Sequence, residues 1–401
     1  MRVPRVLLAG AAGLTLMLTA CTTDTPGDSS EGGNGEAGST PDGEWFDQAE
    51  YEAQLAQREI TPEGPEDQPW LQAIEPEWID TSGFAHDAPE DATLCFSNAS
   101  VSNPWRVTGF ITMEQQVEEL REEGRVGDFR VSDAADDDNQ QISDIQAFVD
   151  SGDCDVIIIS PSTTATLTPA VETACESGVP VVVFDRGVDS DCMVTFIHPI
   201  GGYAFGADAA EFLVENLDPG SKVLALRILP GVDVLEHRWA AAQQVFGDSE
   251  LEVLGYEFTE GDGAKIKDLV SQHLQRGEVD GIWMDAGDGA VAALEAFEDA
   301  GQPYPVISGE DELSFMRKWQ EEDLTAIAPV YSNFQWRTPV LAASMILAGE
   351  EVPSEWVLPQ EPVRQDQLDE YLRRNEDMPS LHYAKFGGED LPGFPEAWTE
   401  R

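Results

Sequence analysis

Polar and aromatic side chains recur at the ends of apolar segments in this 401-residue sequence. The stretch SNASVSNPWR brings together an amide (Asn103), an indole (Trp105) and a guanidinium (Arg106). The pair Asp185-Arg186 follows the apolar segment VPVVVF directly. An Asp only accepts hydrogen bonds and an Arg only donates them, so adjacent hydroxyl groups can satisfy both. An indole face can cover the apolar C–H face of a sugar ring. These residue types favour recognition of a neutral polyhydroxy compound.

Similar polar or aromatic residues follow other apolar segments along the chain. These further candidates for ligand contact are Ser160, Asp285, Asp288, Glu310, Asp311, Tyr331 and Gln335. The alternative interpretation for any single one is a helix cap or a polar loop residue without a ligand. That alternative is weaker for the whole set, because all of these positions are predicted at one edge of the sheets.

Signatures of catalysis are absent from the sequence. We find no phosphate loop with a GK[ST] ending, no HExxH, no GxSxG and no GxGxxG after a strand. The five His residues are scattered, and no Cys has CxxC or paired-His spacing. We therefore expect a protein that is not an enzyme and that has neither a metal site nor a cofactor.

Apolar and helical patterns alternate from residue 91 to residue 348. DVIIIS and VPVVVF are continuous apolar runs, which are typical of strands buried on both faces of a parallel sheet. The alternation predicts an α/β fold with helices on both faces of its sheets. The strands are too many for one sheet, which favours two lobes of similar build. Ligands of such sheets bind beyond the carboxyl ends of the strands, where the candidate residues lie.

The charge balance excludes some partners. The chain has 77 acidic and 22 basic residues, for a net charge of −55, and only five of the basic residues are Lys. Nucleic acid and anionic membrane surfaces are therefore poor partners for the body of the protein. Such an acidic surface predicts adaptation to high salt, which screens self-repulsion. The alternative is ordinary acidity that maintains solubility.

The N-terminus has the pattern of an export signal. Arg2 and Arg5 precede an apolar run, residues 6–18, that is too short to span a bilayer. Leu-Thr-Ala-Cys then resembles a bacterial lipoprotein cleavage box, with Cys21 as the acylated residue. The alternative is a plain secretory signal that contains a Cys. Residues 21–43 are rich in Gly, Ser, Thr and acidic residues, which predicts a flexible tether.

Four other Cys residues would lie in an oxidising compartment, where disulfides are plausible. Their spacing allows three pairings and selects none. Cys154, Cys175 and Cys192 lie next to the predicted amino ends of strands or late in a helix, so those three could cluster. Cys95 lies inside a predicted strand, and we expect it to be a buried thiol.

Several segments together resemble the type I periplasmic sugar-binding proteins of ABC transporters, the ribose/galactose-binding class. They are SNASVSNPWR, DVIIISPS, VPVVVFDR, GGYAFGADAAEFL, HRWAAAQQVF and APVYSNFQWRTPVLAA. The resemblance covers about residues 91–363. It implies two Rossmann-like lobes joined by a three-segment hinge, with the ligand bound in the cleft and the hinge closing on binding.

The resemblance also implies roles for single residues. Asn103 and Trp105 match the ligand contacts of the first loop, and Asp185-Arg186 matches the pair that holds sugar hydroxyls. Arg238 matches an Arg that opens a helix of the second lobe. The remaining matches are less direct. Arg106 lies where the family often has a second aromatic residue, and Gln335 lies near a Gln of the second segment that joins the lobes. Asp285 or Asp288 lies where the ribose-type pattern has an Asn-Asp pair.

The predicted organisation follows from these patterns. It comprises a signal peptide (1–20), a lipoprotein tether (21–43), a helix and Pro-rich strap (44–90), a first lobe (91–199 and 332–357), a second lobe (200–331 and 358–386) and a tail (387–401). We expect a monomeric, lipid-anchored protein on the outer face of the cytoplasmic membrane. It would deliver a monosaccharide or polyol to ABC transporter permease subunits. The alternative is a sensory receptor on the same fold that serves a membrane signalling protein.

Overall fold

Parallel strands organise the part of the chain that the computed structural model describes, which is residues 45–287, 289–385, 391 and 393–399. The predicted signal peptide, the tether with Cys21, and Asp288 lie outside the described residues. The strands in chain order are β1 (Trp78–Ile79), β2 (Thr93–Asn98), β3 (Asp128–Asp133), β4 (Val156–Ser160), β5 (Val181–Phe184), β6 (Thr195–Pro199), β7 (Lys222–Arg227), β8 (Glu252–Phe258), β9 (Gly281–Met284), β10 (Val306–Ser308), β11 (Ala326–Ile327), β12 (Val352–Pro353) and β13 (Glu355–Leu358).

Helices alternate with these strands over most of the chain. They are α1 (Gln48–Gln57), α2 (Pro104–Glu122), α3 (Asp138–Ser151), α4 (Thr164–Glu176), α5 (Gly202–Asn216), α6 (Asp233–Gly247), α7 (Gly263–Arg276), α8 (Ala290–Ala300), α9 (Leu313–Glu322), α10 (Thr338–Ala348), α11 (Leu368–Arg374) and α12 (Phe394–Thr399). Within the described ranges, no helix has both the length and the apolar character needed to cross a lipid bilayer.

The first lobe is built on a six-stranded parallel sheet with the order β13-β6-β5-β4-β2-β3. Every residue of β2, β4 and β5 is buried, because helices cover both faces of the sheet. Strand β3 is at the edge and is mostly exposed, which explains its weak apolar pattern. On one face of the sheet, Phe96, Phe184 and Trp336 pack together with ring centroids 5.2–6.1 Å apart.

The second lobe is built on a five-stranded parallel sheet with the order β11-β10-β9-β7-β8. Its core contains Trp283, Phe297 and Trp319, all of which are fully buried. Helices α5 and α6 pack closely, and a Cβ at Gly206 would come within 1.9 Å of the Arg238 carbonyl oxygen. The close approach therefore requires Gly at this position. Two parallel-sheet lobes confirm the fold class predicted from the sequence.

Three segments connect the lobes: β6 leads to α5, β11 leads to a 3₁₀ turn at Asn333–Trp336, and β13 leads toward α11. Side chains link the segments to one another. The Gln360 amide accepts from Gly201 N–H at 2.7 Å and donates to the Gly201 carbonyl at 3.0 Å. The Ser332 hydroxyl donates to the Pro359 carbonyl at 2.8 Å. The crossings therefore lie side by side, as expected for a hinge.

The Pro-rich segment between α1 and β2 packs on the first lobe. It forms short 3₁₀ turns and the strand β1, which pairs with β12 in antiparallel fashion. Trp70 is buried in the core beneath the guanidinium of Arg337, which lies 3.5 Å from its ring centroid. The Trp356 indole N–H donates to the Gln72 carbonyl at 2.8 Å. This segment is thus part of the lobe's hydrophobic core.

Helix α1 packs on the second lobe instead. Gly201, the N-cap of α5, has no side chain to accept from the first N–H groups of that helix. The side-chain amide oxygen (Oε1) of Gln54 in α1 accepts from Tyr203 N–H at 3.0 Å in its place. Arg58 forms ion pairs with Asp208 at 2.7 Å and Glu211 at 2.9 Å. Residues 45–90 therefore contact both lobes.

Two disulfides link elements of the first lobe. Cys95 pairs with Cys154, and Cys175 pairs with Cys192, with Cα–Cα distances of 5.7 and 6.0 Å. The prediction of an unpaired Cys95 is wrong, whereas Cys175 and Cys192 do lie together, as predicted. Strands β2 and β4 are neighbours and Cys154 lies two positions before β4, so the two Cys residues come close together. The strand order that creates this proximity is not encoded in the cysteine spacing.

Candidate ligand-binding cleft

A cavity of about 370 Å³ lies between the two lobes at the carboxyl ends of the strands. Its volume is in the usual range for small-molecule sites. Many of the predicted ligand contacts line it together. These are Asn103, Trp105, Arg106, Asp185, Arg186, Arg238, Glu310 and Tyr331. The structure therefore brings the predicted first-loop residues and the Asp-Arg pair to one site.

Asp185 is held in an unusual backbone conformation at the end of β5. Its φ angle is +70°, in the left-handed region that Asp tolerates better than most residues. The Asp185 N–H donates to the Ile197 carbonyl at 3.1 Å, and its own carbonyl accepts from the Tyr331 hydroxyl at 3.1 Å. Its carboxylate accepts from Arg106 Nη2 at 2.9 Å, and both side chains are buried. Contacts from three other elements therefore fix Asp185, two through its backbone and one through its carboxylate.

Arg186, the next residue, lines the same cavity. Its Nη1 donates to the carbonyl oxygen of Ser162 in the loop after β4. Burial lowers the pKa of Arg186, and the positive charge of Arg106 lowers it further. An anionic or acceptor-rich ligand would counteract both effects, because it would stabilise the charged guanidinium.

The start of α2 supplies another wall. The Asn103 side chain accepts from Arg106 N–H at 2.9 Å, and Pro104 occupies the first helical position. Asn103 is therefore an N-cap, which agrees with the alternative interpretation of this residue as a helix cap. The Trp105 indole N–H donates to the Tyr331 carbonyl at 2.8 Å, which fixes the ring against the second crossing.

Arg238 of α6 lies on the opposite wall. Its guanidinium lies 3.9 Å from the ring centroid of Phe205 and 4.8 Å from that of Tyr331. It donates to the Asp285 carbonyl oxygen and lies 3.6 Å from a carboxylate oxygen of Glu310. Burial raises the pKa of Tyr331, and the nearby charge of Asp185 raises it further, so this phenol remains a donor. The second lobe thus presents an oriented cation to the cavity.

Other predicted residues lie nearby but do not line this cavity. Ser160 is the last residue of β4 and is buried. The Asp285 carboxylate accepts from Ile228 N–H at 2.9 Å, and the Asp311 carboxylate accepts from Lys385 N–H at 2.6 Å. Both carboxylates therefore accept hydrogen bonds from backbone N–H groups of the second lobe. Gln335 is buried, and its amide has no hydrogen-bond partner among the described residues. Ligand contact by these four remains a prediction, and Asp288 lies outside the described residues.

Sequence reasoning missed several residues that line the cavity. They are Ser102, Asp136, Ser162, Thr163, Ile228, Leu229, Val232, Val234, Leu235, Ala286 and Tyr383. Ser162 lies in the segment DVIIISPS, two positions after the predicted ligand contact Ser160, so the same sequence pattern could have indicated it. Tyr383 lies well beyond the last strand, β13, and no sequence motif distinguishes it.

A second cavity, of about 270 Å³, continues the cleft toward the hinge. It shares seven lining residues with the first, among them Asp185, Arg186 and Tyr331. Glu50 and Gln54 of α1 line it, together with Gly201 at the first crossing. Among the described residues, no group of three or more His, Cys, Asp or Glu side chains is arranged to hold a metal ion.

Comparison with known proteins places this cleft in a family. Residues 94–351, more than half of the chain, match the periplasmic binding protein domain. The chain belongs to this family. The match confirms the family resemblance seen in the sequence.

Individual members of the periplasmic binding protein family resemble the chain over most of their length. The ribose import binding protein of Bacillus subtilis (strain 168) is 24% identical over 279 residues, 69% of this chain and 88% of that protein. An ABC transporter solute binding protein from Thermobispora bispora has a TM-score of 0.63 at 22% identity, covering 70% of this chain and 87% of its own. An ABC transporter solute binding protein from Bacillus halodurans with bound myo-inositol has a TM-score of 0.63 at 20% identity, and the match covers 71% of this chain and 98% of that protein.

Proposed function

We propose that the chain is an extracytoplasmic solute-binding lipoprotein of an ABC transporter. It captures a monosaccharide or polyol in the interlobe cleft and delivers it to the permease subunits. The observation that carries this proposal is the joint placement of Asp185, Arg186 and Trp105 on one cavity of about 370 Å³. Acceptors, donors and an aromatic face at one site suit a ring with hydroxyl edges and an apolar face.

The relatives support the same ligand class. A curated relative is a ribose import binding protein, and a solved structure of the same fold holds myo-inositol. Both compounds are small and carry several adjacent hydroxyl groups. The proposal for this chain accordingly names sugars and polyols as a class, and a ligand screen must select among them.

A thermal-shift screen of monosaccharides and polyols tests the binding step. A ligand present at about 100 times its Kd stabilises the folded state by about 2.7 kcal/mol, which is readily detected. Trp105→Ala should reduce the affinity for the compound that the screen identifies, because the indole no longer covers the apolar face of the ligand ring. Trp78→Ala is the matched control, since Trp78 is 45% exposed on β1 and does not line the cleft. If no sugar or polyol raises the melting temperature, the proposed ligand class is wrong.

The anchor and the delivery step need cellular experiments. Cys21→Ser should leave the precursor unprocessed or release the protein from the membrane, and unchanged processing would remove the lipid anchor from the proposal. Deletion of the gene should abolish high-affinity uptake of the identified ligand. If uptake persists while a transcriptional response to that ligand is lost, the sensory alternative replaces delivery to a permease.

A further inference from the structure

We propose that the cleft selects a sugar acid, a polyhydroxy ligand whose carboxylate binds the guanidinium of Arg186. The inference rests on the proposed function, since it names the class of sugar that the same cleft takes. It follows from the balance of ion pairs and hydrogen-bond donors around the cavity.

The other arginines near the cleft have carboxylate partners. Arg106 pairs with Asp185 at 2.9 Å, Arg238 lies 3.6 Å from Glu310, and Arg227 lies 3.8 Å from Asp285. These acidic residues are therefore already engaged. Asp136 also lines the cavity and has no ion pair within 4.0 Å among the described residues, but its side chain is exposed, so water solvates its carboxylate and it is not a buried acceptor. Arg186 forms no ion pair within 4.0 Å in the part of the chain that the structure describes.

Arg186 also has unused donors. Within the described residues, its one side-chain hydrogen bond is from Nη1 to the Ser162 carbonyl, which leaves the Nε–Nη2 edge for a ligand. That edge is the planar fork that matches a carboxylate bidentately. Two more donors at the cavity, Arg106 Nη1 and Arg238 Nε, are buried without a partner among the described residues. Both residues are more than nine-tenths buried.

This surplus of donors decides between two kinds of ligand. Each hydroxyl of a neutral sugar can accept hydrogen bonds, but it also brings a donor that needs an acceptor of its own. A carboxylate brings only acceptors, so it satisfies the guanidinium groups without adding donors. Buried donors left unpaired are costly, and a ligand that pairs them is favoured by the same amount. An acidic sugar therefore fits the cleft better than its neutral parent.

Calorimetric titration with matched pairs tests this inference. The probes are D-galactose with D-galacturonate, and D-glucose with D-gluconate and D-glucuronate. The acid of at least one pair should bind about ten- to a hundredfold tighter than its parent, the factor expected for charge-assisted hydrogen bonds. Arg186→Gln should abolish this preference. Arg130→Gln should keep it, since Arg130 is an exposed, ion-paired residue that does not line the cleft.

The outcomes separate the two proposals. If a neutral parent binds as tightly as its acid or more tightly, the acid preference is wrong and the proposed sugar-binding function stands. If galactose 1-phosphate binds more tightly than every carboxylate, the anion is a phosphate and the inference is overturned. If none of these probes binds but the screen finds another neutral sugar or polyol that does, the inference fails and the proposed function stands; if the screen also finds no ligand, both fail.

Discussion

Replacement of Asp185 by Asn tests how the cleft is held together. The substitution removes the charge but keeps the shape, and Asn also tolerates the left-handed φ of +70°. Arg106 would then be buried without its counter-charge, since the pair is 2.9 Å long and both side chains are at most 5% exposed. Removing one partner of a buried ion pair costs about 3–5 kcal/mol. The Asn carbonyl can still accept a hydrogen bond, so we expect about 3 kcal/mol.

The assay is thermal unfolding of the ligand-free protein. At an unfolding entropy of about 2.1 cal/mol/K per residue, a loss of 1 kcal/mol shifts the melting temperature of roughly 350 folded residues by about 1.4 °C, so we expect a drop of about 4 °C. Asp136→Asn is the matched control. Asp136 lines the same cavity and also has a positive φ, but it is exposed and has no ion pair within 4.0 Å among the described residues. Its melting temperature should stay within about 1 °C of the native protein, as for most surface substitutions.

Equal melting temperatures for the two variants would refute the reasoning, because the Asp185–Arg106 pair would then contribute nothing to stability. The double variant Asp185→Asn with Arg106→Gln should recover part of the loss, since it leaves no uncompensated buried charge. Ligand affinity gives a separate readout. A fall of at least tenfold in Asp185→Asn is expected if the carboxylate also contacts the sugar, and an unchanged affinity would limit Asp185 to a structural role.

Further predictions concern packing, pH and salt. Gly206→Ala should destabilise by about 1–3 kcal/mol and weaken ligand binding, because its Cβ would displace Arg238, whereas Gly247→Ala, where nothing lies within 4 Å, should do neither. Burial raises the pKa of Asp208 to about 6 despite its pairing with Arg58, so the folded state binds the extra proton and melting temperature should fall as pH rises from about 4 to 6. Asp208→Asn should flatten this pH dependence, and an unchanged slope would contradict it. Melting temperature should also rise between ~0.01 and ~1 M salt, since screening relieves the repulsion of a net charge of −55, and a flat response would count against it.

The sheets could be predicted from the sequence because their central strands are continuous apolar runs. VVVF is buried on both faces of the first sheet, and the residues that follow it directly, Asp185 and Arg186, had to emerge at its carboxyl end. Adjacency to a buried strand was the most reliable guide to the cleft.

The remaining site depended on side-chain direction and on distant partners. Ser160 and Ser162 are two positions apart, but only Ser162 lines the cavity, because β4 ends between them. Asp285 lies beside Arg227, which no spacing rule connects with it. The ion pair between Arg106 and Asp185 spans 79 positions. Such contacts depend on how the two walls approach each other, which local patterns do not specify.

The packing of the N-terminal segment has a consequence for where the protein can be cut. The region that matches the family begins at residue 94 and ends at residue 351, but neither point is a boundary of the folded unit. A fragment trimmed to that region would lose strand β13 and would uncover the apolar surface beneath Trp70. It would also leave the first N–H groups of α5 without the oxygen of Gln54. Any shortened protein made for crystallisation or display should therefore begin before α1 and continue beyond β13.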